Sequence, residues 1–421
     1  MSRRPHPYRP GAAPGAIPGQ VRVLGVGALV LLALVGARSL QTQVDRFEYA
    51  EPHMGTMVRL VMYAPNPEVA DRAAAGAFAT FTRLDSLFSD YREDSEIGLL
   101  ATEAGSGHPR SVSPELLEIL EIAEQWRDQS GGAFSVTVGP MTRLWRWAIR
   151  RGELPEADRL DAARLQADPA GMEVLVRTGT ASETRTVPRP GTGTATGTAT
   201  GTRTGTVTLN VAGMSLDLGG IAKGYAAQKV VDQLAEQGLS QVLVDAGGDM
   251  VLGAAPPKQG GWRVEFPDGA VHHLANVAVA TSGDRYQYLE VDGVRYSHIL
   301  DPGTGLGMTD APTVVVVAPN GAAADAAASA LTVLAADPAA TERFLRAFPE
   351  LAVQILPRSR SNDVVGDQAA HATMRHPIVT PGFPQPRALP LMSVPQSPDL
   401  TRSNSSNSSG TPDPHATENQ P

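Results

Sequence analysis

The chain has 421 residues, 19% of them charged and 42% hydrophobic, enough for one large domain or two ordinary ones around a sizeable core. Its net charge of −9 argues against a nucleic-acid binder, which would show a basic face. The absence of cysteine excludes disulfides, thiolate zinc sites, a cysteine nucleophile and a lipid-modified N-terminal cysteine, while leaving the redox compartment open.

Arg3, Arg4, Arg9 and Arg22 precede the first acidic residue, Asp45, and Val23 to Ala37 is apolar throughout. That run is short for a membrane span of roughly 20 residues and fits a secretory core segment of ~7–15. The basic flank predicts an N-terminus held in the cytoplasm. Residues 1–43 therefore read as a signal peptide or membrane anchor, cleaved near the small residues Gly36 and Ala37 or left as a tether. The expected location is the periplasm or the extracytoplasmic face of the inner membrane. GVGALV at Gly25 to Val30 lacks the third glycine of a dinucleotide fingerprint.

Met57 to Tyr63 alternates as a strand does, and Pro67 to Phe88 places Val69, Ala73, Phe78, Phe81, Leu84 and Leu87 at helical spacing. Ser113 and Pro114 form a cap and first-turn pair for a helix carrying Leu116, Leu117, Leu120, Ala123 and Trp126. Trp145 and Trp147, after Pro140, read as packing residues. Glu173 to Arg177 and Val207 to Val211 read as two strands of a hairpin. Between them runs a Thr/Gly tract, residues 178–206, too poor in apolar surface to order itself. A flexible loop costs only ~0.6 kcal/mol more per doubling of length, so a fold carries such an insert easily.

Further strands are expected at Gln241 to Val244, Trp262 to Phe266, Val277 to Ala280, Tyr288 to Val291, Thr313 to Val317 and Leu351 to Leu356. Helices are expected from Ala226 through Leu234, at Gly321 to Ala336 and near Thr341 to Phe348. Residues 357–421 are polar and rich in Pro, Ser and Asn, and read as a disordered tail. The sum is an α+β protein, with one mixed domain over residues 44–356 in place of a regular βαβ series.

Four clusters could carry chemistry. Asp217 to Tyr225 (DLGGIAKGY) joins a β-branched run to a helix. Gly219 and Gly220 would permit a sharp turn and close ligand approach, the first-turn amides would favour an anion, and Lys223 and Asp217 would add charge. An acid, bare backbone and a lysine suit a phosphorylated ligand with a divalent metal; the alternative is an unliganded turn. Thr281-Ser282-Gly283-Asp284 ends a strand with ligands for phosphate or ribose, or is an ordinary turn. In SHILDPGTG (Ser297 to Gly305), His298 is either a general base or a structural histidine. Asp325 and Ser329 share one helix face at i and i+4, as two hard oxygen ligands among alanines, a set that suits Mg²⁺. Alternatively Asp325 caps its helix.

Taken in order, MGT (Met54 to Thr56), SDY (Ser89 to Tyr91), DSEI (Asp94 to Ile97), GGAF and TVGP (Gly131 to Pro140), DLGGIAKGY, GGD (Gly247 to Asp249), ATSGD (Ala280 to Asp284), SHILDPGTG and DAAAS (Asp325 to Ser329) resemble the ApbE-like family, the FAD:protein FMN transferases. The resemblance covers roughly Glu51 to Leu356. It implies the family's α+β fold, with FAD as substrate and Mg²⁺ as cofactor. It also implies transfer of FMN to a threonine or serine hydroxyl of an acceptor protein, a membrane-associated redox protein being the expected kind. Met54, Tyr91, Ala133, Phe134, Ser135, Asp217, Lys223 and Ile299 would contact FAD. Asp325, Ser329, Ala328 and the Gly220 carbonyl would hold the metal, with Asp325 and His298 as the catalytic pair. Two departures stand out: Ser135 replaces a usual aspartate, and Ser329 replaces a usual threonine while keeping the hydroxyl. Hydrolysis of FAD or simple FAD storage are the competing readings.

Overall fold

A computed structural model describes residues 44–178, 184–186, 203–283, 288–358 and 377–384. The N-terminal segment 1–43, most of the Thr/Gly tract, Asp284 and most of the tail lie outside the described residues.

In chain order the first half contains β1 (Asp45–His53), β2 (Thr56–Ala64), α1 (Pro67–Phe88), α2 (Glu96–Thr102), β3 (Arg110–Val112), α3 (Pro114–Gln129), α4 (Gly139–Arg151), α5 (Ala157–Gln166), β4 (Met172–Thr178), β5 (Thr184–Thr186) and β6 (Arg203–Leu209). The second half contains α6 (Ala222–Glu236), β7 (Val242–Ala246), β8 (Asp249–Leu252), β9 (Trp262–Glu265), β10 (Val271–Leu274), β11 (Val277–Ser282), β12 (Tyr288–Val291), β13 (Val294–Leu300) and β14 (Gly307–Thr309). It closes with β15 (Thr313–Ala318), α7 (Gly321–Leu334), α8 (Pro338–Ala347), β16 (Ala352–Leu356) and β17 (Ile378–Val379). Helices interleaved with antiparallel sheets make the expected α+β architecture.

An eight-stranded sheet in the order β1-β2-β7-β8-β11-β15-β16-β17, antiparallel throughout, divides the molecule. Side chains on a strand alternate between faces, so each strand feeds two cores. On β15, Val314, Val316 and Ala318 join one core while Val315 and Val317 join the other. This explains why the strand reads as an unbroken valine run. The first face is covered by helices. Asn66 caps α1 by accepting from the Val69 amide at 2.9 Å, and its buried stripe includes Ala70, Ala73, Ala77, Phe78, Phe81 and Leu84. Ser113 does the same for α3, from the Leu116 amide at 3.2 Å. The second face is covered by the β9–β10 hairpin through Trp262, Val264 and Phe266. A third core joins α4 and α5 to the sheet β12-β13-β14 through Met141, Trp145, Ala148, Ala163, Leu289 and Leu300.

Several expectations change. The hairpin strands β4 and β6 pair from Met172↔Leu209 to Thr178↔Arg203, and Thr184–Thr186 pairs with Leu175–Arg177. The structured edges therefore intrude into the tract assigned to 178–206, because β-branched threonines suit an extended ladder. Elements without a sequence expectation include β1, which is mostly exposed, and α5, which buries only Ala163. Neither shows a clear apolar period. The tail assigned to 357–421 is also corrected: Ile378 and Val379 pair with Ile355 and Gln354, and Thr380 Oγ1 accepts from the Val353 amide at 2.8 Å. Phe383, 5% exposed, enters the second core with its ring 5.5 Å from that of Phe266.

This contact makes part of the tail structural. Phe383→Ala should lower unfolding stability by ~3 kcal/mol, the usual scale for emptying a buried phenylalanine site, as read by urea titration. An unchanged midpoint would mean that residues 377–384 rest on the sheet without stabilising it.

Candidate active site at one end of the large sheet

Two hairpin turns lie side by side at one end of the large sheet. Met54-Gly55 links β1 to β2 with φ of 49° and 72°, and Gly247-Gly248 links β7 to β8 with φ of 73° and 101°. Positive φ at both central residues is the turn that matches strand twist. Gly247 also packs so closely on Thr56 that a Cβ there would collide with its hydroxyl. Asp245 secures the second turn by accepting from the Gly248 amide at 2.8 Å. Asp249 thereby starts β8 buried, 6% exposed, with the Thr281 backbone donating to its carboxylate.

Above this end α6 crosses α7. A Cβ on Gly224 would collide with the Gly321 carbonyl and lie 2.9 Å from Asp325 Cβ. Only glycine permits this approach, and it delivers the Gly224 amide to Asp325 Oδ2 at 3.1 Å. Asn320 caps α7, accepting from Ala323 at 2.9 Å, so the capping alternative for Asp325 fails. The anion expected at the first turn of α6 is supplied from within, by Asp325. Lys223 donates to the Gly219 carbonyl at 3.0 Å and lies 3.1 Å from Asp249 Oδ2 and 3.8 Å from Asp325 Oδ2.

The three groups act on one another through their charges. Burial, then the Asp249 charge, push the Asp325 carboxyl up to about 7, against the pull of Lys223. Burial likewise raises Asp249, with Lys223 opposing it. Burial works against the Lys223 charge, but Asp325 and Asp249 outweigh it and hold its pKa above the ordinary lysine value. With both acids ionised, two carboxylates share one lysine out of water, and a bound cation would offset that excess and favour the ionised form of Asp325.

Further oxygen donors lie beside that charge. A Cβ on Gly220 would sit 2.9 Å from Ser329 Oγ, so the hydroxyl lies against the Gly220 backbone. Gly219 and Gly220 are not at positive φ, contrary to the expected strained turn; here glycine provides space, not conformation. Among the described residues no group of three or more His, Asp or Glu side chains is arranged to hold a metal. A few hard oxygens, with water and phosphate completing the shell, fit Mg²⁺ and not zinc. The Ala328 carbonyl receives the Thr332 hydroxyl at 2.9 Å inside α7.

Asp217 lies in a second charged group. Its amide donates to the Val136 carbonyl at 2.8 Å, and its Oδ1 accepts from the Gly219 amide at 2.8 Å. Its Oδ2 accepts from Arg146 of α4 at 3.2 Å. Arg146 also pairs with Asp90 and lies 4.2 Å over the Tyr91 ring, which is 78% exposed. Phe134 is buried against Gly220, and Ser135 Oγ is 2.9 Å from Thr137 Oγ1. Ala133 and Ser135 line a groove of about 620 Å³ with Arg127, Asp301 and Arg343.

His298 and Ile299 come from β13, which packs against α7 and α4. His298 is exposed, Ile299 half-buried, and the Ile299 amide donates to Ser297 Oγ at 3.0 Å. Ser282, considered as a phosphate ligand, is 3.0 Å from Thr332 Oγ1. The fold therefore brings together Gly220, Lys223, Asp325 and Ser329, and separately Tyr91 and Asp217. Sequence reasoning assigned no role to Asp249, Asp90 or Arg146. Asp249 had a signal, an acid after two turn glycines; Arg146 sits within an arginine-rich run that offers none.

The Asp325 shift carries a sign. The folded protein retains a proton that the unfolded chain releases near 3.8, so stability of the metal-free protein should fall as pH rises from about 4 to about 7. Asp325→Asn should flatten that slope in thermal melts recorded with chelator at pH 4.5 and 7.5. An identical slope in the variant would remove Asp325 as its source.

The sequence profile of the ApbE family matches residues 54–353. A protein of Treponema pallidum named FAD:protein FMN transferase is 33% identical over 355 residues, covering 80% of this chain and 91% of the relative. One of Vibrio cholerae with the same name is 30% identical over 292 residues, covering 65% of this chain and 76% of the relative. The structure of flavin transferase ApbE from Vibrio cholerae aligns with a TM-score of 0.60 at 25% identity, covering 75% of this chain and 95% of that one. The apo flavinyl transferase ApbE of Pseudomonas stutzeri aligns at 0.60 and 26% identity, covering 76% and 93%. With the matched profile spanning both hairpin turns, the glycine turn and α7, this chain belongs to the ApbE family.

Proposed function

We propose that the protein moves FMN from FAD to a threonine or serine hydroxyl of an acceptor protein, forming a phosphoester and releasing AMP, with Mg²⁺ as cofactor. The observation that carries this reading is the buried Asp249–Lys223–Asp325 group at a glycine turn, in a chain whose relatives are named for that transfer. Asp325, Ser329 and the Gly220 carbonyl would hold the metal, which when bound neutralises charge on the pyrophosphate. The Ala328 carbonyl is the weaker candidate, given its bond to Thr332.

Lys223 is the positive group beside the site and stays protonated, because Asp325 and Asp249 outweigh the effect of its burial. It suits the phosphate of the departing AMP. Phosphoryl-type transfer asks for positioning and charge more than covalent help. The acceptor oxygen bonds to the FMN phosphorus, the bond from that phosphorus to the AMP oxygen breaks, and the hydroxyl proton goes to a base. His298 is the base in this scheme: it is exposed, and so within reach of an external polypeptide. Met54, Tyr91, Ala133, Phe134, Ser135, Asp217 and Ile299 would complete the FAD contacts.

The basic, apolar N-terminal segment supports export, with the enzyme on the extracytoplasmic side and membrane-associated redox proteins as acceptors. Among the described residues no helix is long and apolar enough to cross a membrane.

Incubation with FAD, Mg²⁺ and a threonine-bearing acceptor should add the mass of FMN to the acceptor, and chelator should prevent it. Release of FMN and AMP without acceptor modification would favour hydrolysis instead. Asp325→Ala should lower transfer at least 100-fold while FAD still binds, and unchanged turnover would refute the metal assignment. His298→Ala should slow turnover by ~10²–10⁴ at saturating FAD, the range of a lost general base, whereas a near-normal rate would exclude it from proton transfer.

A further inference from the structure

Arg146 contributes to none of the roles above, yet it is the centre of a built cluster. Its guanidinium reaches three groups from two separate segments. Asp90 and Tyr91 come from the loop after α1, and Asp217 opens the glycine turn. Each contact uses a different feature of the planar cation. One nitrogen pairs with Asp90, a second lies 3.2 Å from Asp217 Oδ2, and the flat face covers the Tyr91 ring at 4.2 Å. Lysine, a point charge on a flexible stem, cannot make all three contacts at once.

The two acids would otherwise oppose each other. Burial first, and the charge of Asp217 second, raise the Asp90 carboxyl, while Arg146 pulls it back. Removing the arginine therefore leaves two half-buried carboxylates facing each other without the cation that bridges them. Tyr91 is 78% exposed, so little besides the guanidinium fixes its ring. One ring face is covered by the cation and the other remains open to a planar aromatic group. Asp217 is held from both sides, by the Gly219 amide at 2.8 Å and by Arg146 at 3.2 Å.

We infer that Arg146 is a positioning residue for the flavin dinucleotide, locking Tyr91 and Asp217 into one frame before the ligand arrives. The inference rests on the proposed use of FAD, but not on transfer to an acceptor. It assigns Arg146 to affinity and leaves charge neutralisation to Lys223 and the metal that Asp325 would hold. A residue that merely braced the fold would lower stability and all kinetic constants together.

The test compares the wild type with Arg146→Ala, Arg146→Lys, Tyr91→Ala and the double variant Arg146→Ala/Tyr91→Ala. FAD binding is read by flavin fluorescence without acceptor, and KM and kcat by acceptor mass. Arg146→Ala should weaken FAD binding about tenfold and raise KM similarly, with kcat at saturating FAD within about threefold, while the two facing acids lower the melting point. Arg146→Lys should restore less than half of the lost affinity on a logarithmic scale. The double variant should bind worse than Tyr91→Ala by clearly less than tenfold, because the arginine acts partly through the ring and partly through Asp217. Unchanged FAD affinity in Arg146→Ala, full rescue by lysine, or a fall in kcat as large as the fall in affinity would each overturn the inference. If wild type binds FAD but modifies no acceptor, the transfer reading fails while the binding comparison still decides the role of Arg146.

Discussion

The site depends on the close crossing of α6 and α7 at Gly224 and Gly321. Where two helices meet without side chains between them, the backbone amide of one reaches a carboxylate of the other. Asp325 is thereby held one turn inside its own helix, away from water and next to Lys223 and Asp249. A methyl group on either glycine would force the helices apart, and the acid, lysine and serine would lose their common origin. The alanines that flank Asp325 have the same effect: they keep α7 slim enough to lie on the sheet.

The large sheet supplies the other half of the geometry. Its two hairpin turns end at the same edge, and strand pairing fixes Asp249 opposite Ala246 and close to the Thr281 backbone. Because β-strand side chains alternate, the same strands that seat the site also build two cores, one under the helices and one under the β9–β10 hairpin. The charged group is therefore anchored by much of the hydrophobic interior, and a rigid frame of this kind suits chemistry that relies on positioning.

Charge balance then separates two functions in space. Around Asp325 two buried acids share one lysine, an arrangement that a cation would complete. Around Asp217 the arginine of α4 bridges two acids and lies over an exposed aromatic ring. The groove lined by Ala133, Ser135 and Asp301 adds a third surface beside them.

Much of this was legible in the chain. α1 announced itself by apolar residues at helical spacing, α3 by its Ser113–Pro114 cap and apolar stripe, and Thr313 to Val317 read as a strand. The ordered motifs gave the family, and Asp325 with Ser329 at i and i+4 and Lys223 after two glycines named residues that the fold gathers at one place. These are local patterns, and local patterns survive in one dimension. Tertiary structure alone decided that Gly219 and Gly220 provide space instead of a strained φ, that Asp325 takes the Gly224 amide, and that Phe383 belongs to a core. It alone made partners of Asp249, Asp90 and Arg146. Those outcomes depend on which side chains meet across more than a hundred residues, as Asp325 and Gly224 do, and no spacing within a segment encodes a meeting of that kind.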